Sequence, residues 1–170
     1  MRKMGLLCFM LTLTVSLFAN DFVTRFMERY ADENRPLSNV NIGKTMLEKM
    51  AVNTEDEELK QTFGELNSIS IISSENKRDA RFYFKKAGEM MKELISDYKE
   101  VVSVNEKASR ISLWMKQQDK ETSDLILISL EENSKFTLIT VSGKIDFKSM
   151  AKLSGALREV PEPTEEIEEE

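Results

Sequence analysis

Apolar side chains change their spacing along this chain, and each change marks a new element. From Asp21 to Ala31 they recur every four residues, at Phe22, Phe26 and Tyr30, which predicts a short helix with one buried stripe. Arg35-Pro36 breaks that helix. Val40-Asn41-Ile42 begins a short strand, and Thr45 to Ala51 is helical with Met46, Leu47 and Met50 on one side. Glu55 to Leu66 reads as a second, polar helix whose acids sit at its positive N-terminal end. Ser68 to Ser73 is a strand. Ser74 or Asn76 caps the longest helix, over 77–97, where Ala80, Phe84, Ala87, Met91, Leu94 and Tyr98 fall three or four apart.

After Asp97 the period drops from 3.6 to 2. Lys99 to Val104, Ser109 to Gln117, Asp124 to Leu130 and Lys135 to Ser142 are four strands. Their connectors NEKA, QDKETS and EENS suit hairpins, so the four form an antiparallel meander. Asp146 caps a last helix that reaches about Leu157. Helices and strands that mix without strict alternation predict an α+β fold. Its sheet is mainly antiparallel, of five to six strands, with the helices packed on it.

Within 109–117, Ile111, Leu113 and Met115 alternate with Arg110, Ser112, Trp114 and Lys116, so the two sets face opposite sides of the sheet. The first set is expected to pack on helix 77–97. Trp114, the single Trp, then lies on the other face. That face is not wholly polar, because Leu125-Ile126-Leu127-Ile128 places apolar groups on both sides of its strand. Either the helices within 22–31 and 43–64 cover it, or part of it around Trp114 receives a partner, since aromatics dominate binding hot spots. Trp114 is the one partner-binding candidate.

The run at 6–18 has a different meaning. Arg2 and Lys3 precede it, no charge interrupts it, and Ala19 closes it. A charged start, a short apolar stretch and a small residue at its end describe a secretory signal peptide, residues 1–19. The run falls short of the roughly 20 residues a spanning helix needs. Residues 20–158 then form a single domain, and 159–170 (EVPEPTEEIEEE) form an acidic, Pro-interrupted tail expected to be disordered. The expected localisation is periplasmic or envelope-associated, with no transmembrane segment in the mature chain.

Charge and composition narrow the chemistry. Setting aside the two bases of the leader and the seven Glu of the tail, 22 basic and 23 acidic residues remain, a domain near −1. That balance argues against nucleic acid, which attracts a basic stripe. The sequence contains no His, and its one Cys, Cys8, lies in the leader. Ser-His and Cys-His nucleophiles and the usual zinc ligands are therefore missing, and no cofactor or metal site is expected. Asn41-Ile-Gly43-Lys44-Thr45 resembles the end of a phosphate-binding loop. It carries Ser38 where the motif needs Gly, and residues 30–37 do not supply the strand before it. Ser149-Met-Ala-Lys152 and Ser74-Glu-Asn-Lys77 both match Ser-x-x-Lys without its companion motifs. The seven Met of the mature chain read as core filler. The favoured function is a non-enzymatic binding module, partnered by an envelope protein or a second copy. The alternative is a small His-free hydrolase using carboxylate or Ser/Lys chemistry.

Taken in order, FMERYADE, VNIGKTMLEKM, LNSISIISSE, YKEVVSVNEKASRISLWMKQ and LILISLEENSKFTLITVSGKIDFKSMAKL resemble the bacterial family known as domain of unknown function 4252, over about 22–157. The resemblance implies a small exported protein of gut-type Gram-negative bacteria. In some relatives it also implies a lipid anchor and a gene beside an extracytoplasmic sigma factor, hence an envelope-response role. It brings no catalytic residues. Cys8, early in the apolar run and after Leu7, is badly placed for lipidation.

Expressed in a Gram-negative host, the protein should be recovered outside the cytoplasm, shorter by about 19 N-terminal residues. Intact mass and N-terminal sequencing check this, and a mature chain still beginning at Met1 rejects it.

Overall fold

The computed structural model describes residues 18–31, 35–93, 97–118 and 121–145. The helix expected from Asp146 to Leu157 and the acidic tail lie outside these residues. The order along the chain is α1 (Phe18–Tyr30), β1 (Ser38–Gly43), α2 (Lys44–Asn53), α3 (Glu57–Glu65), β2 (Leu66–Ser74) and α4 (Lys77–Glu93). Four strands follow: β3 (Lys99–Asn105), β4 (Ser109–Gln118), β5 (Glu121–Glu131) and β6 (Lys135–Ile145). The six strands make one antiparallel sheet in the order β1-β2-β6-β5-β4-β3, so the expected α+β class and the C-terminal meander both hold. The long α4 lets the chain leave β2 and return at the far edge, where the meander begins.

Local chemistry sets several boundaries. Asn76 starts α4, its side-chain oxygen accepting from the N–H groups of Arg78 and Asp79 at 3.0 and 3.4 Å. Asp56 does the same for α3, accepting from Glu58 and Leu59. In the β5–β6 turn Ser134 donates its N–H to the Glu131 carbonyl at 2.9 Å, and Glu132 and Asn133 take φ +50° and +54°. Asn tolerates that left-handed backbone, and the turn's twist matches that of the strands.

Helices cover both faces of the sheet. On one face, α1 and α4 bury Phe22, Phe26, Ala80, Tyr83 and Met91 against Ile72, Ile126, Ile128, Leu130, Phe136 and Leu138. Phe26 lies 6.0 Å from Tyr83 and 5.9 Å from Phe136, ring centre to ring centre. On the other face, α2 and α3 bury Leu47, Ala51 and Phe63 against Ile42, Ile69, Met115, Leu125 and Val141. This corrects one expectation: Trp114, not the Ile111–Met115 set, shares its face with the long helix. Alternation separates the two sets without saying which helix reaches which.

Gly143 marks a close backbone approach. Its φ is +133°, and an added Cβ would stand 2.6 Å from both the Glu65 carbonyl oxygen and Leu66 Cα. The register of β2 on β6 shifts here between Leu66 and Ser68, pressing the bulged β2 backbone onto Gly143. Gly143→Ala should therefore lower stability by roughly 2 kcal/mol or more in urea titrations. A change within a few tenths would contradict the close approach.

Candidate functional site

Trp114 stands in β4 opposite Glu100 on β3 and Ile126 on β5. It is half-buried and packs against the cluster that α1 and α4 share, and its indole Nε1 finds no hydrogen-bond partner among the described residues. Arg110 and Lys116 share its face of the strand. Arg110 extends its guanidinium over the Phe84 ring at 4.8 Å, a favourable cation–π contact. Lys116 lies 3.8 Å from the Asp97 carboxylate and 6.0 Å from the centre of the Tyr98 ring. Opposite Lys116 on β5 is the buried Asp124.

Tyr98, Lys116, Asp97 and Asp124 form a compact polar group beside Trp114. Burial pushes the Tyr98 hydroxyl far above its ordinary range, and the nearby charges of Asp124, Asp97 and Asp21 add to the effect. The hydroxyl stays protonated and makes no hydrogen bond among the described residues. Burial also raises Asp124, with Lys116 pulling the other way. In a cleft, a neutral phenol beside a raised carboxyl would be a candidate acid–base pair. Here Tyr98 is 4% exposed and Asp124 7%, so neither offers its polar atom to a substrate.

The other buried acid is Asp79, in the first turn of α4, 3.6 Å from Arg35 and 3.5 Å from Arg78. Arg35 follows the C-terminal end of α1, whereas Asp21, which acts on Tyr98 together with Asp124, lies near its start. A 13-residue helix is about 20 Å long. Paired carboxylates that cleave glycosides stand less than about 10 Å apart. The two buried acids do not converge.

The motif-like segments have structural work. Lys44, the lysine of the loop-like NIGKT, donates from Nζ to the carbonyls of Gly64 at 2.6 Å and Leu66 at 3.0 Å. It closes the negative C-terminal end of α3 and does not project toward a ligand. Ser74 is buried at the end of β2, and Lys77 is exposed at the start of α4. Ser149, Lys152 and Met150 lie outside the described residues. Met90, Met91 and Met115 are core residues, Met27 and Met50 are half-buried, and Met46 is 54% exposed.

Two surface features were not singled out by sequence. An open groove of about 470 Å³ runs between α1 and the β1–β2 pair. Thr24 and Glu28 stand on its helical wall, with Asn39, Asn41, Ser68 and Ser70 below. The second feature lies on the α2–α3 side. The registers align Val40, Ile71, Ile139, Leu127, Leu113 and Val102, one from each strand, as a single row across the sheet. The row beside it, Ile42 to Met115, is buried under α2 and α3. This one remains half-exposed, and Val102 is 40% exposed. Beyond it come Ser38, Ser73, Thr137 and Ser129, so the apolar band is bounded by hydroxyls on four strands. Its residues were visible in the sequence, but their alignment depends on five registers at once.

Asp124 gives a pH signature. Its folded-state pKa lies above the ordinary 3.8, so between those values the native state holds the extra proton and stability falls as pH rises. Asp124→Asn removes that loss. Its melting temperature relative to the native protein should climb from pH 4 to pH 7, and a flat difference would contradict the burial effect.

No curated protein matches the chain. The family model described as Domain of unknown function (DUF4252) matches residues 30–153, from the end of α1 through all six strands. The protein, a six-stranded antiparallel sheet between two pairs of helices, belongs to the DUF4252 family.

Proposed function

We propose that this protein is an exported, envelope-located interaction module that holds a protein partner on the open row of its sheet and catalyses no reaction. The in-register apolar row carries the reading. Six half-exposed branched side chains on a rigid sheet form a preorganised surface, and covering them removes apolar area from water without refolding the domain. The hydroxyl-bearing row beside it supplies a polar border, the arrangement found around interface cores. No helix among the described residues is long and apolar enough to cross a membrane, in keeping with a domain that meets its partner from solution. Trp114, the candidate from sequence, lies on the opposite face, packed against the α1–α4 cluster.

The hydrolase alternative draws less support. Asp79 follows the Ser74 end of β2, which pairs with Phe136, whereas Asp124 pairs with Ser142 near the other end of β6, and the acid lining the α1–β1 groove is Glu28 alone.

The mature domain, immobilised and exposed to envelope extracts, should retain a specific protein. Leu113→Thr with Ile139→Thr places polar, β-branched, strand-favouring residues in the sheet and should cut that retention at least tenfold, with circular dichroism unchanged. Equal retention by native and doubly substituted protein rejects the row as the binding surface.

A further inference from the structure

The two edges of the sheet are built differently, and the difference points to a use for one of them. At the β3 edge the register on β4 shifts between Glu100 and Val102, so Val101 is an extra residue in the strand. Lys99 and Glu100 open that strand, and Glu106 and Lys107 follow it. A bulge and flanking charges are the usual devices that stop an edge from pairing with another chain. At the opposite edge β1 has none of them. It pairs with β2 through six consecutive residues without a shift. Its sequence, SNVNIG, contains no charge and no Pro. Lys44, the cation that directly follows it in sequence, is turned into the Gly64 and Leu66 carbonyls. Among the described residues, β1 has no neighbour on its outer side.

We propose that two copies of this protein pair antiparallel through β1, making one continuous twelve-stranded sheet. The occupant is a second copy because β1 is complementary to itself. About a two-fold axis normal to the sheet, directly opposed residues must lie on the same face. Asn39 and Asn41 face the α1 groove, and Val40 and Ile42 face the α2 side. Any two-fold register therefore opposes Asn to Asn or Gly on one face and Val or Ile to its like, or to Ser, on the other. With Val40 at the axis, Val40 meets Val40 of the second copy and Asn39 meets Asn41. With Asn41 at the axis, Val40 meets Ile42 and the two Asn41 amides meet. No pair opposes like charges, and a folded domain carrying about −1 repels its copy weakly.

The pairing would also join the half-exposed rows of the two copies at Val40, doubling the length of that surface. It does not depend on the row having a partner: Leu113 and Ile139 lie away from the β1 edge, so their substitution should leave the dimer intact.

Sedimentation velocity and light scattering of the mature protein over a range of concentrations test the proposal. A dimer mass is expected at the higher concentrations, with amide exchange in 38–43 slowing as the dimer forms. Asn39→Lys with Asn41→Lys sets like charges opposite one another in either register while altering only exposed side chains. This variant should weaken association at least tenfold. Ser103→Lys on β3 should not. A chain that stays monomeric with β1 exchange independent of concentration overturns the proposal. So does a dimer that survives the Asn substitutions or is broken by Ser103→Lys.

Discussion

Strands β5 and β6 are apolar on both faces, and the architecture depends on that doubling. Ile126, Ile128 and Leu130 point to α1 and α4, while Leu125 and Leu127 point to the α2–α3 side. On β6, Phe136 and Leu138 serve the first layer and Ile139 and Val141 the second. A strand with one polar face would leave one pair of helices nothing to bury. Because both faces are apolar, the hydrogen-bonded centre of the sheet fixes the position of both helical layers, and each layer excludes water from the strands beneath it.

The same arrangement explains where surface remains. The helices α2 and α3 have 10 and 9 residues, too short to cover the whole of their face. They bury one row of the sheet and half-cover the next; in the hydroxyl-bearing row beyond it, Ser38 is exposed, Ser73 and Thr137 are half-buried and Ser129 is buried. The exposed band is thus a consequence of helix length set against sheet width. On the opposite face α4 has 17 residues and, with α1, covers a larger area. The polar residues Asn39, Asn41, Ser68 and Ser70 occur at its margin, where α1 leaves the β1–β2 pair open.

Burial on the α1–α4 side is not free of cost. Among the described residues, Trp114 Nε1 and Tyr98 OH are buried without a hydrogen-bond partner, and each such group typically costs about 1–3 kcal/mol. Aromatic packing offsets part of this: Phe22, Phe26, Tyr30, Phe82, Tyr83 and Phe136 form a connected set of ring contacts. Burial also raises the pKa of Asp124, against the pull of Lys116. An active site requires the same shifts together with an opening, and here α1 closes over them.

Sequence by itself determined the elements and the two-sidedness of the strands. Period 3.6 gave way to period 2 where α4 yields to the meander, and Leu125-Ile126-Leu127-Ile128 announced a strand buried on both faces, because these signals depend on neighbours a few residues apart. It also identified Trp114, Ile111 and Leu113 as facing opposite ways. Which helix lay over which set was decided only by the tertiary structure, so Trp114 came to lie beneath α1 and α4, the reverse of the expected arrangement. Handedness of the connections and the β1-β2-β6-β5-β4-β3 order set that choice, and neither leaves a local trace. The open row and the unguarded β1 edge were hidden for the same reason: a residue's cross-strand neighbours are fixed by register between segments as far apart as Leu66 and Gly143, and local periodicity carries no information about register.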